Sequence, residues 1–317
     1  MPSANVNTPT QSYSRQAERW RMLDDLDGGT KAMIEASTTW LPKEEAESEQ
    51  NYRNRLGRSV LYPMFADTLD TGVSRMFAYP IAIKEADALS DRLAQLQDDA
   101  DRKGTSLTQF GRQIAHDGMK FGRLHFLVDF PATDATANLR DEQESGVRPY
   151  FAAVSPPDII GWKFRSGPGG KQILAQLRVR ETQVVADGEF GEKEVKSVRV
   201  YIDDGEGARW ELWTEGDKGD YLMADGGSIS LGRIPLVTAY YDYVAPFEAN
   251  PPYEGLAWQN IRHWRSSSEQ DNLLRVARVP ILTGAGLSQE QIDAGIQIGA
   301  SKILASVNPD AKWSYTE

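Results

Sequence analysis

The chain has 317 residues, 40 % of them hydrophobic, enough for a sizeable core in one large domain or two smaller ones. Lys and Arg number 35 against 46 Asp and Glu, and this −11 balance argues against a protein that mainly grips nucleic acid, since phosphate binding needs a basic footprint. An acidic wall past which DNA slides remains compatible with it. Without cysteine, disulfides, Cys-ligated zinc and thiol catalysis are excluded, and the composition fits a reducing cytoplasm. No run of apolar residues is long enough to suggest a membrane span.

Residues 1–13 read as a flexible polar tail with no apolar secretion segment. Residues 14–131 read as a helical region with a terminal strand. Trp40-Leu41-Pro42 is a stop signal, because proline disfavours helix in the residue before it. Tyr52, Leu56, Val60 and Met64, then Phe65, Leu69, Val73 and Phe77, form one apolar stripe, which Pro63 should kink or split. Leu89, Leu93 and Leu96 mark a further helix. Ser106-Leu107-Thr108-Gln109 has capping-box form ahead of Phe110, Ile114 and Phe121, and Gly122 is placed to cap the C-terminus.

The period then changes to two. Leu124, Phe126, Val128 and Phe130 alternate with Arg123, His125, Leu127 and Asp129, as in a half-buried strand ended by Pro131. Residues 132–147 read as an exposed loop and 148–245 as a β-rich region. There Val198, Val200 and Ile202 share one face, and Asp203 to Gly207 form a turn before a strand with Trp210, Leu212 and Thr214 together. Asp217–Asp220 and Asp225-Gly226-Gly227 predict two more turns, and Ile234–Tyr243 a strand. Residues 246–282 hold a long helix from about Gly255 to Arg278, with apolar ends and a middle, Arg265 to Asn272, polar on every side. A strand begins at Val279, and 283–317 is a mixed C-terminal segment.

Catalytic motifs are weak. Gly167-Pro168-Gly169-Gly170-Lys171 lacks the Ser or Thr and the following helix of a phosphate loop, so a plain turn is the better reading. His116, His125 and His263 lack metal-ligand spacing, and the acidic turns lack the calcium-loop pattern. Neither a nucleophile elbow nor a facing carboxylate pair is present. The expectation is therefore no enzyme and no cofactor or metal. Trp210 and Trp213 alternate on one strand with few cations beside them, which favours core or subunit contact over base or sugar stacking.

Several stretches together resemble a portal-like family of tailed bacteriophages. They are Trp20, Asp24 and Gly28-Gly29; Trp40-Leu41-Pro42; Tyr52-x-x-Arg55-x-x-Arg58; and Thr68, Gly72, Phe77 and Pro80. Gly104-Thr105-Ser106-Leu107-x-x-Phe110, Gly118, Gly122, Val128-Asp129-x-Pro131, Arg148-Pro149-Tyr150 and Trp162 continue the order. The densest stretch is Leu256-Ala257-x-x-Asn260-x-x-His263-x-x-Ser266-Ser267-x-x-x-x-Asn272, followed by Pro280 and Gly284. The order and spacing of many short motifs carry the likeness, from about Trp20 to Leu304.

The resemblance implies an α+β portal-like fold with a helical wing, a β-rich part and a stem-like helix facing a channel. It implies a ring, dodecameric in type, at one capsid vertex of the virion, assembled in the host bacterial cytoplasm. Such a ring is a conduit for DNA packaging and ejection without sequence specificity, and it docks terminase, the head–tail connector and capsid or scaffold protein. Asn260, Arg262, His263, Arg265, Ser266, Ser267 and Asn272 are then the channel or subunit-contact candidates, with subunit pairing favoured for the basic ones. Portals usually continue well past the point matching Glu317, so a C-terminal part is expected to be missing. The rival readings are a monomeric hydrolase or carbohydrate-binding module built on the Trp-rich β region, and another virion head–tail adaptor.

Overall fold

A computed structural model describes residues 5–84, 90–130, 147–216, 219–277, 281–285, 310 and 312–316. The fold is α+β, with helices beside antiparallel sheets. Contacts divide it into two units, one of Met1–Ala36 with Leu61–Ile261, the other of Ser37–Val60 with Arg262–Glu317.

In the first unit, α1 (Gln11–Asp27) starts where the Thr10 hydroxyl accepts from Tyr13 N–H, and α2 (Gly29–Ala36) follows after Gly28. The expected loose tail is instead tied down over residues 5–10. Thr10 N–H donates to Ile160 O, and the Arg178 guanidinium donates to the carbonyls of Val6 and Thr8 at 2.7 and 2.8 Å.

The apolar stripe across Pro63 splits. One half is α3 (Glu49–Leu56), the other α4 (Met64–Met76), and between them Val60 is 69 % exposed. Proline offers no N–H and disfavours helix before it, so the two runs fold apart. The expected third helix is short, α5 (Asp91–Ala94) running into a 3-10 turn, and Leu89 lies outside the described residues. For α6 (Leu107–Phe121) the capping box forms, with Ser106 and Gln109 each satisfying the other's backbone N–H. Gly122 closes α6 at φ 81°, where a Cβ would meet the Asn250 carbonyl oxygen at 2.5 Å, so only glycine fits.

Next comes β1 (Arg123–Asp129), the middle strand of a sheet with β2 (Tyr150–Val154) and β8 (Leu236–Tyr240). Its burial reverses the expectation: Arg123, His125 and Leu127 are buried, while Leu124, Phe126 and Val128 are only partly so. Both faces are covered, the first by aromatic rings and the second by ring contacts such as Phe126 with Phe110. The loop predicted at 132–147 lies outside the described residues save for Val147.

A five-stranded antiparallel meander follows: β3 (Ile159–Ser166), β4 (Gln172–Asp187), β5 (Gly191–Asp203), β6 (Ala208–Glu215) and β7 (Tyr221–Ile229). One face packs Ile159, Leu177, Val179 and Tyr201 against Leu127, Val154 and Phe247. The other gathers Ile160, Val198, Val200 and Tyr221 with Val6 and Tyr13. Gly167–Lys171 is the β3–β4 turn, and Asp203–Gly207 turns as its sequence predicts, with Asp204 Oδ1 accepting from the N–H groups of Glu206 and Gly207.

Asp225-Gly226-Gly227, by contrast, is strand rather than turn. A Cβ on Gly227 would lie 3.0 Å from the Trp210 indole nitrogen on the paired strand. The glycines there admit a large ring instead of reversing the chain. Residues Asp217 and Lys218, in the other predicted turn, lie outside the described set. A small pair, β9 (Tyr243–Ala245) with β10 (Glu248–Ala249), precedes α7 (Glu254–Ala277), whose first residues belong to this unit.

The second unit contains a 3-10 turn at Ser37–Thr39, then α3, whose N-terminus is capped by Ser48. It also holds α7 from Arg262 onward and a two-stranded sheet of β11 (Ile281–Ala285) with β12 (Lys312–Thr316). The middle of α7, Arg265 to Asn272, is polar at every position, yet it is not exposed on every side. Trp264 is fully buried just before it, and Ser268 within it is buried too, because its hydroxyl has a partner.

Candidate functional site

The residues singled out on α7 separate by role. In the first unit, Asn260 is fully buried and uses both ends of its amide: Oδ1 accepts from Phe65 N–H and Nδ2 donates to Tyr62 O, each at 2.9 Å. Those partners flank Pro63. The side chain therefore supplies, at the start of α4, the cap that proline there cannot. Asn260 faces the interior and is not part of a solvent-facing surface.

In the second unit, Arg262, His263 and Ser266 are exposed, together with Glu269 and Gln270, while Ser267 and Asn272 are half-buried. Spacings of three and four residues put Arg262, Ser266 and Glu269 on one helix face. Arg265 turns away from it, and its Nε donates to Trp40 O at 2.7 Å. Ser268, which no sequence pattern singles out, accepts from the Ser59 hydroxyl at 2.7 Å, and Ser59 also sits within reach of Arg55 O.

Trp40-Leu41-Pro42 does more than stop a helix. Its three consecutive carbonyls accept from three different side chains: Trp40 O from Arg265, Leu41 O from Tyr52 O–H at 3.0 Å, and Pro42 O from Arg55 Nη2 at 2.9 Å. Arg55 is held further by a two-pronged pair with Glu47, at 2.9 and 2.7 Å, and lies over the Tyr52 ring. The hydrogen bonds from Arg55 hold the Glu47 carboxyl below its ordinary range, and Glu47 in turn raises the Arg55 guanidinium. The spacing Tyr52-x-x-Arg55 was the available signal, since it places both side chains on one face of α3.

A second polar assembly, in the first unit, was not foreseen. Arg123 is completely buried between the rings of Trp20 and Trp162, its guanidinium carbon 5.0 and 5.7 Å from their centroids. Nη1 donates to Gln16 Oε1 at 3.0 Å, while Nε and Nη2 find no partner among the described residues. Burial lowers its pKa to about 10, so it stays charged at neutral pH. Two residues on, His125 stacks on Phe247, and Phe247 stacks in turn on Trp162. His125 Nδ1 lies 2.8 Å from Thr238 Oγ1; burial first, and Arg123 second, push the imidazole well below its usual pKa. This is a column of π faces around one cation and one neutral ring.

On the helices of the same unit, Lys120 reaches Asp24 and Asp27 at 3.0 and 2.9 Å, and His116 lies 3.5 Å from Asp27. Burial pulls the Lys120 ammonium down, but the two carboxylates outweigh it and leave it raised. The hydrogen bond to Asp27 raises His116. Trp210 and Trp213 both take part in packing: Trp210 sits on the larger sheet core with Arg199 over its ring at 5.1 Å, and Trp213 on the opposite core.

Among known families, the domain of unknown function DUF4055 matches residues 252–317, a span that includes all of α7. No curated protein matches the chain.

Proposed function

We propose that this chain is a subunit of a phage portal, a ring at one capsid vertex through which DNA is packaged and ejected. The observation that carries the reading is the two-sided helix α7. Within the second unit, one side is anchored by Trp264 and Ser268, both buried, and the other offers Arg262, His263, Ser266 and Glu269 to solvent. A helix fixed on one side and polar on the other suits side-by-side packing of copies around a wet channel. The residues behind the resemblance also support it, because Trp40–Pro42, Tyr52, Arg55 and α7 hold one another by hydrogen bonds. An overall charge of −11 lets phosphate pass without being trapped.

In this reading Arg262 pairs with a carboxylate of the neighbouring copy rather than with DNA, which must stay free to move. Terminase, the head–tail connector and capsid or scaffold protein are the partners, and the virion is the location. Negative-stain imaging with mass measurement in solution tests it. Rings with an axial hole and a mass many times 35.3 kDa are expected, and a monomer at every concentration overturns the reading. Arg262→Glu should weaken assembly. If rings form normally and only DNA retention changes, Arg262 faces DNA instead.

A further inference from the structure

The meander is five strands wide over only part of its length. β3 pairs with β4 no further than Val179, and β6 pairs with β5 from Ser197 onward. From Thr182↔Lys196 to Asp187↔Gly191, β4 and β5 have only each other. At ~3.4 Å per residue this two-stranded ribbon reaches roughly 20 Å past the sheet. Such a ribbon is marginal in water unless something packs on it, yet its tip carries Phe190 at 92 % exposure. Around that ring, Asp187, Glu189, Glu192 and Glu194 outnumber Lys193, leaving a net charge of −3.

The same unit carries a surface of opposite character. At the end of α4, Arg75 stands beside Met76, and Tyr79 just beyond is 86 % exposed. Arg112 of α6 reaches this end of α4 through a 3.3 Å hydrogen bond to Ser74 Oγ. Tyr241 joins it by donating its hydroxyl to Met76 Sδ at 3.6 Å. This end of the unit thus presents two arginines, a methionine and two tyrosines from neighbouring elements, with Asp242 the carboxylate next to Tyr241 in sequence, residue types suited to an aromatic ring flanked by carboxylates.

We propose that the β4–β5 ribbon of one copy docks its Phe190 tip on the Arg75, Met76, Tyr79, Arg112 and Tyr241 surface of the next. The ribbon does not occupy that surface of its own chain, because Phe190 stands in solvent. The two patches are different, so the contact is head-to-tail, and such a contact builds a ring when the repeated rotation closes on itself. The inference rests on the ring reading above and names the contact that builds the ring.

Sedimentation of the full chain tests both. Glu189→Lys with Glu192→Lys, and separately Arg75→Glu with Arg112→Glu, should each weaken association by about tenfold or more, since each places like charges opposite one another. Joining all four changes in one chain should restore assembly, a recovery that misfolding cannot produce. Phe190→Ser should weaken it without rescue. If wild type forms rings and every variant forms them equally well, the ribbon contact is overturned and the ring reading stands. A wild-type monomer at all concentrations overturns both. Loss of bound DNA from the Arg75/Arg112 variant, with assembly intact, would make that surface a nucleic-acid site and also overturn the contact.

Discussion

The two units each bury an arginine on a different principle. Arg55, 6 % exposed, meets Glu47 with two nitrogens and Pro42 O with one of them, so its charge is neutralised and most of its fork is hydrogen-bonded. Arg123 is buried more completely and meets no carboxylate within bonding distance among the described residues; two indole faces and one amide oxygen are its surroundings. The titration directions record the difference, with Arg55 raised by Glu47 and Arg123 lowered by burial to about 10. An ion pair locks a loop to a helix, and its two members depend on each other. A guanidinium between rings acts mainly as a flat, wide packing element whose charge is tolerated.

That contrast predicts unequal responses to mutation. Arg55→Ala leaves the half-buried Glu47 carboxylate with only the Glu44 N–H and frees Pro42 O, and should destabilise the second unit by about 1–3 kcal/mol. Thermal melts of the chain should show it, and pairing Arg55→Met with Glu47→Gln should recover most of the loss. A loss below about 1 kcal/mol for Arg55→Ala would mean that the pair is not buried as described.

At the other arginine, Arg123→Ala opens a void between Trp20 and Trp162 and should cost about 3 kcal/mol in denaturant unfolding. Arg123→Met fills that space without the charge and should stay within about 1.5 kcal/mol of wild type, or exceed it. If Met proves as damaging as Ala, the charge itself is essential and the contrast with Arg55 fails.

The smallest effect concerns His125. Its folded pKa lies well below 6.5, so the unfolded chain binds the proton more readily, and stability falls as pH drops through about 6.5. His116 has the opposite sign: raised by Asp27, it contributes stability below 6.5 that is lost as pH rises through its folded value. Melting temperatures of wild type and His125→Phe between pH 8 and 5 separate the two. The variant should lose less stability on acidification. An unchanged slope would mean that the ring is protonated in place.

Local signals were the legible ones. Ser106 to Gln109 capped α6, Gly122 ended it and Asp203 to Gly207 turned the chain, because each rests on neighbours within a few residues. The change of period showed a helical first part and a β-rich middle, and the resemblance implied the α+β class that the structure has. The alternation in β1 was visible, but the choice of inner face was not. A strand covered on both sides can bury Arg and His when rings from Trp20, Trp162 and Phe247 receive them, and those rings lie far off in sequence. Pro63 marked the break in the apolar stripe, whereas nothing nearby pointed to Asn260 as its cap. At the candidate site, all seven residues were singled out alike as channel or subunit-contact candidates, and of them Arg262, His263 and Ser266 are exposed. Arg265 and Asn260 looked equally polar in sequence, but only distant carbonyls and amides decide that they turn inward.

The Asn260 clamp has a consequence for the order in which the molecule comes into being. The side chain that caps α4 is 195 residues later in the chain than the Phe65 amide it receives, and Arg265 lies 225 residues beyond the carbonyl of Trp40. On the ribosome, then, α4 and the Trp40–Pro42 segment must wait uncapped while the whole meander is synthesised. Closures of such long span are slow to find. The arrival of α7 completes both, so a nascent chain stopped short of it holds two segments whose last bonds have not yet been written.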